Sequence, residues 1–328
     1  MDSFLFAVNA VSPIILTVVI GYLLKKAGLI TQTLAKAMNK LVFRVFLPSM
    51  LFLNVYNISD IGTMDFGYVV YGAVIVLAIF MCALPAVIAW EPNGSRRGVL
   101  LQAAFRSNYA LIGIPLAESL FGTQGAAVAT VLSAAVVPLF NVLAVISLTI
   151  FRGNGEKPSV KNMITDIFKN PLILSIALGV VALGIRSLFV QANIDFRLTD
   201  LGPIMTVLRY LSNMATPLAL LVLGAQFEFS AVAVLKRQIL FGTLIRVVFV
   251  PILGIGIAWG FFSRVFSGAH FAAFVAMFAT PVAVSSVPMV QEMDGDAELA
   301  GQLVIWTTIA SAFSVFIVSY LLKAGGIF

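Results

Sequence analysis

The chain is 328 residues long, 61% hydrophobic and only 10% charged, where soluble globular proteins carry roughly 25% charged residues. That balance excludes an ordinary soluble enzyme, and at about 20 apolar residues per transmembrane helix it allows on the order of ten crossings. The formal charge of +6 comes from basic residues scattered between apolar runs, not from the clustered basic face that nucleic acid requires.

In chain order, apolar runs long enough to cross a bilayer fall near residues 4–24, 34–57, 66–90, 98–120, 125–151, 171–191, 201–224, 238–262, 269–292 and 298–322. The first is too long, and its start too poor in basic residues, for a secretory signal. The second carries Lys36, Lys40 and Arg44 in its first half, so it is expected to begin as an interfacial amphipathic turn. The polar stretch 152–170, with Gly153, Asn154, Gly155 and Pro158, reads as a linker between 1–151 and 171–328.

Lys and Arg gather in the loops that this count places on one side: Lys25, Lys26, Lys36, Lys40, Arg96, Arg97, Arg152, Lys157, Lys161, Lys169, Lys236 and Arg237. The opposite loops hold only Arg186, Arg197, Arg264 and Lys323. By the positive-inside rule the richer side is cytoplasmic, and both termini are expected outside a cytoplasmic (inner) cell membrane.

The two halves repeat. An offset of 158 places Pro13 on Pro171 and Gly21 on Gly179, and an offset of 173 places Pro115 on Pro288, Gly122 on Gly295 and Phe140 on Phe313. Pro48 likewise aligns with Pro217 and Pro85 with Pro251. Five spans per copy force the second copy into the membrane upside down, which gives an inverted repeat, an architecture found chiefly in transporters. The expected fold is therefore an all-α membrane protein of ten transmembrane helices, two inverted five-helix repeats with crossed, broken helices four and nine.

Broken helices at mid-membrane expose backbone groups that a ligand can satisfy. Span four reads Arg106-Ser107-Asn108-Tyr109 and onward through Gly113 to Pro115; span nine reads Thr280-Pro281 and onward through Ser285-Ser286 to Pro288. Both windows lie near the centre of their runs. Proline tolerates the first helical turn, so Pro115 and Pro288 are expected to open half-helices whose free N–H groups favour an anion. Asn108, Thr280, Ser285 and Ser286 supply hydrogen bonds, with Asn141 on a flanking span. A simple proline kink in each helix is the plainer alternative.

Among the in-span ionisable groups Arg44, Arg106, Glu118, Arg209 and Arg246, Arg106 and Arg246 lie about two turns from the cytoplasmic side, within reach of lipid headgroups by snorkelling. Arg106 is also the cation nearest Pro115, and so the candidate partner for a second substrate carboxylate. Glu118 is expected to pair or reach water. The acids Glu292, Asp294, Asp296 and Glu298 read as a solvated turn.

A single cysteine, Cys82, and a single histidine, His270, cannot build a thiolate or histidine metal centre. The spans hold no HExxH and no well-buried aspartate, so no enzyme, metal or cofactor is expected.

The run Pro217 to Ala225, PLALLVLGA, resembles the PLALLxLGA signature of the auxin efflux carrier family, whose bacterial members include malate and malonate permeases. Arg246 to Pro251 and Ala279 to Ser314 also resemble its later helices. The resemblance covers essentially the whole chain. It implies a ten-helix inverted-repeat fold similar to bile-acid symporters and sodium/proton antiporters, with the family's crossover asparagine and proline on Asn108 and Pro115. The proline window of helix nine falls on Pro281 to Pro288. The short central loop resembles the prokaryotic type. No acid lies inside 105–115 or 280–288, where related sodium-coupled folds carry one, so proton or sodium coupling stays open.

The expected function is carriage of a small organic anion, a mono- or dicarboxylate such as malate or malonate, by alternating access. A sensor of such an anion without flux is the alternative. The partners are that anion and the lipid bilayer; a homodimer is compatible with the sequence.

Overall fold

A computed structural model describes residues 2–58, 66–152 and 160–328. Helix follows helix: α1 (Asp2–Lys26), α2 (Gln32–Tyr56), α3 (Phe66–Trp90), α4 (Gly94–Phe105), α5 (Tyr109–Ile150), α6 (Val160–Lys169), α7 (Pro171–Gln191), α8 (Gly202–Gln226), α9 (Ser230–Phe262), α10 (Gly268–Phe278), α11 (Ser286–Glu292) and α12 (Ala297–Ala324). Among the described residues there is no strand, only a single isolated bridge. Among the described residues seven helices, α2, α3, α5, α7, α8, α9 and α12, are long and apolar enough to cross a membrane.

The expected interfacial start of the second span is continuous with its apolar half. Thr31 caps α2 by accepting the Leu34 N–H at 3.2 Å, and a π turn at Val42–Phe46 carries the helix on. Part of the 152–170 linker is also helical, because α6 continues almost to Pro171; residues 153–159 lie outside the described residues.

α5 is two helices joined at a sharp corner. Phe121 (φ −140, ψ 25) and Gly122 (φ 62, ψ −157) leave the helical region, and glycine is the residue that takes positive φ without a Cβ penalty. Eight residues of straight helix would separate Ala117 from Gly125 by roughly 12 Å, yet a Cβ on Gly125 would collide with the Ala117 carbonyl oxygen. The chain therefore doubles back there, where the sequence places a loop between 120 and 125.

Lipid tails are as apolar as leucine, so helices in a bilayer hold together by close packing at small residues. α1 and α8 do this reciprocally: Gly21 abuts the Leu221 carbonyl and Gly224 abuts the Val18 carbonyl, leaving no room for a Cβ at either glycine. Gly224 and Leu221 belong to the PLALLVLGA run, so that run is a packing surface. Gly179 of α7 packs in the same way against Val55 and the Phe52 carbonyl of α2.

At the centre lies α10, whose residues Phe271 to Phe278 are at most 1% exposed. A helix apolar on every face belongs in a core. It packs on α5, where Gly113 leaves room for the Ala276 carbonyl.

The turn read as solvated is exposed at Asp294 and Glu298 and carries ion pairs as well. Asp296 accepts from Arg96 at 2.9 Å, Asp294 pairs with Arg152 at 2.9 Å, and Glu292 lies 3.9 Å from Arg44. Glu118 and Arg209 are exposed on the protein surface.

Candidate functional site

α4 has 12 residues and rises roughly 18 Å, little more than half of a hydrocarbon layer about 30 Å thick. Its helix stops at Arg106, whose backbone is extended (φ −89, ψ 107), and resumes at Tyr109. α10 is interrupted in the same manner before α11. The two interruptions are joined backbone to backbone: the Asn108 N–H donates to the Pro281 carbonyl at 2.8 Å, the Ala283 N–H to the Arg106 carbonyl at 3.4 Å, and Ser107 and Val282 form an antiparallel bridge. The Val282 N–H is taken by Thr307 Oγ1 of α12 at 3.1 Å. Non-helical backbone at this depth requires such partners, because no water is present to replace them.

Where α4 and α10 end, their carbonyls converge on Arg246 of α9. Its guanidinium donates to the carbonyls of Thr280 at 2.7 Å, Met277 at 2.8 Å and Ala104 at 3.3 Å. A cation at the negative ends of two helices is favourably placed. Arg246 is 0% exposed, which corrects the snorkelling expectation: the carbonyls at the breaks, not headgroups, hold it.

Arg106 is 2% exposed and does not snorkel either. Its Nη1 donates to Gln102 Oε1 at 3.0 Å and lies 3.0 Å from Met289 Sδ; its Nη2 donates to Asn141 Oδ1 at 2.8 Å and Ser285 Oγ at 2.9 Å. All four partners are neutral, and no carboxylate among the described residues pairs with it. A charge at the centre of a membrane helix costs roughly 2.5–3.5 kcal/mol on insertion scales, and the Arg106 guanidinium meets that cost with neutral side-chain partners alone.

A cavity of about 60 Å³ lies beside it. Arg106, Ser107, Asn108, Tyr109, Asn141 and Ser285 border it, with Asn54, Thr216, Met50 and Leu51 from α2 and α8 opposite. Tyr109, Ala110 and Leu111, also on its wall, form the first turn of α5, whose N–H groups have no partner within the helix and carry its positive end. The buried Asn108 Nδ2 and Ser107 Oγ have no hydrogen-bond partner. A cation, a helix start and two residues with unused polar groups thus border one small space, an arrangement with the chemistry to accept an anion. The space is well below the 300–1,000 Å³ of ordinary ligand pockets.

The other sequence candidates lie elsewhere. The second half-helix begins at Tyr109, through a π turn, rather than at Pro115; Pro115 is exposed within α5, because the wider π turn lets the helix resume before the proline. Gly113 serves the packing on α10. Thr280 Oγ1 bonds back to the Ala276 carbonyl at 2.7 Å, and Pro281 contributes its carbonyl to the bridge. Ser286 is buried with an unpartnered hydroxyl but does not border the cavity. Pro288 sits in α11, and its carbonyl accepts from the buried Asn39 at 3.3 Å. Tyr109 turns its hydroxyl away to the Ala129 carbonyl at 3.0 Å.

Sequence reasoning passed over Gln102, Met289 and Thr216. Gln102 stands one helical turn before Arg106, and Thr216 immediately precedes Pro217 of the signature; both spacings were available signals. Among the described residues no cluster of His, Cys, Asp and Glu could hold a metal ion.

A family model described as membrane transport protein matches residues 6–319. An "uncharacterized transporter" of Methanothermobacter thermautotrophicus is 26% identical over 330 residues, covering 95% of this chain and 97% of that protein. Another "uncharacterized transporter", from Methanocaldococcus jannaschii, is 25% identical over 64% of this chain and 66% of its own length. A shorter match, 34% identical over 107 residues, covers 32% of this chain and 12% of the mouse "lysosomal cholesterol signaling protein".

Proposed function

The chain belongs to the membrane transport protein family, that of the auxin efflux carriers, and on that premise we propose that it is a secondary carrier of small organic anions. The anions are mono- or dicarboxylates of the size of malate or malonate. The observation that carries the reading is Arg106: a buried guanidinium with only neutral partners, beside a cavity into which Asn108 and Ser107 bring unused hydrogen-bonding capacity. An anion would complete all three, with the first turn of α5 adding its dipole.

In this reading the chain crosses the cell membrane ten times as two inverted five-helix repeats, with both termini outside. α4 with the start of α5, and α10 with α11, are the fourth and ninth crossings, broken where they meet. The corner at Gly122 supports the count, since it divides α5 into two crossings. The small cavity suits an occluded state, and alternating access would open it by moving the broken pair relative to α1, α2, α7 and α8.

Counterflow in proteoliposomes with a panel of radiolabelled carboxylates tests the function. Labelled substrate should accumulate transiently against unlabelled substrate inside; no accumulation with any of them would overturn the carrier. Cysteine tags at both termini should react from outside intact cells and a tag in 153–159 only after permeabilisation; the reverse pattern would overturn the topology. Sensing without flux is the second reading, favoured by the similarity to the mouse signaling protein. A carboxylate that raises the melting temperature yet gives no counterflow would select it.

A further inference from the structure

A carrier must return to its starting side, and it returns either empty or loaded. The charges at the breaks make these two journeys unequal. Arg106 is the one charged side chain among the described residues that border the cavity, and neutral oxygens and a sulfur are its partners. With an anion bound, cation and counter-charge travel together and the donors of Asn108 and Ser107 are satisfied. Without one, an uncompensated charge and two unused polar groups must cross the centre of the bilayer, where nothing replaces their partners.

No described side chain at the cavity relieves this in the empty state. The described residues bordering the cavity include no Asp, Glu, His or Lys, so a proton or metal ion has no acidic group among them through which to change the net charge. Arg246 is a constant background: its carbonyl partners belong to the breaks themselves and stay with it whether or not the cavity is filled. The charge that changes its environment on loading is that of Arg106.

We propose that the protein is an obligatory anion exchanger, one that reorients readily when a carboxylate occupies the cavity and is arrested when it is empty. Arg106 is the residue that enforces this. The inference rests on the carrier reading above and adds to it the coupling: one anion out is driven by one anion in, with no co-transported cation.

The test uses the full chain in proteoliposomes loaded with radiolabelled malonate or, separately, acetate. Efflux is followed after dilution into buffer with or without the same unlabelled anion. Exchange is expected to outpace efflux into anion-free buffer at least tenfold. In Arg106→Gln that ratio should fall to about one, since the variant loses both the partner for the anion and the charge that arrests the empty form. Arg106→Lys, which keeps the charge, should retain a ratio well above one. Equal wild-type efflux with and without external anion would overturn the exchange while leaving the carrier standing. An undiminished ratio in Arg106→Gln would remove Arg106 as its cause. Absence of any flux with both anions would overturn the carrier reading itself, and the exchange with it.

Discussion

Arg106 and Arg246 are alike by residue type and burial, and opposite in company. Arg246 is surrounded by backbone carbonyls at the ends of α4 and α10, groups fixed by the fold and otherwise unsatisfied. Arg106 is surrounded by side-chain atoms of Gln102, Asn141, Ser285 and Met289, which can turn toward a ligand. Burial alone therefore does not tell the two arginines apart. The partner does, because removing a cation from carbonyls orphans the backbone, whereas removing it from amides and hydroxyls leaves groups able to bond elsewhere.

The largest expected effect breaks the structural member. Arg246→Ala leaves three carbonyls at the breaks without their donor, at about 1–3 kcal/mol for each unsatisfied group, and should lower stability by at least about 3 kcal/mol. Thermal or denaturant unfolding in detergent would show it; a variant as stable as the parent would erase the distinction. Arg106→Gln should do the reverse, weakening carboxylate binding by calorimetry with an unchanged or raised melting temperature, since an uncompensated buried charge is removed. A fall in melting temperature as large as that of Arg246→Ala would make both arginines structural.

Charge number sharpens the same variant. If a second carboxylate rests on Arg106, malonate should lose more affinity than acetate; equal loss would place that carboxylate elsewhere. Asn108→Ala removes one unpartnered donor and should weaken binding about tenfold, close to 1.4 kcal/mol, with folding preserved. Unchanged affinity would exclude Asn108 from the contact. The smallest effect belongs to a third arginine: Arg44 is 61% exposed and 3.9 Å from Glu292, so Arg44→Gln should change stability by no more than a few tenths of a kcal/mol.

Much of this was legible in the residues. Prolines and short polar windows within apolar runs located the breaks at 106–115 and 280–288, and glycine between 120 and 125 located the corner in α5. The exact restart of the helix was not legible, because a π turn at Tyr109–Gly113 leaves no mark in composition and lets the chain become helical ahead of Pro115. Nor could the two arginines be told apart, since the carbonyls holding Arg246 come from residues at least 31 positions away and are present in every residue type. The ion pairs of the acids between α11 and α12 were hidden for the same reason: Arg44, Arg96 and Arg152 are remote in sequence and near only after folding.

The antiparallel bridge between Ser107 and Val282 has a mechanical meaning. Its hydrogen bonds, from the N–H of Asn108 and of Ala283, are made by the main chain, so ordinary side-chain exchange cannot unfasten it. Only proline, which lacks the N–H, cuts such a stitch. While the stitch holds, a pull on either broken helix drags the other, and the cavity beside Arg106 is kept whole instead of being pried apart.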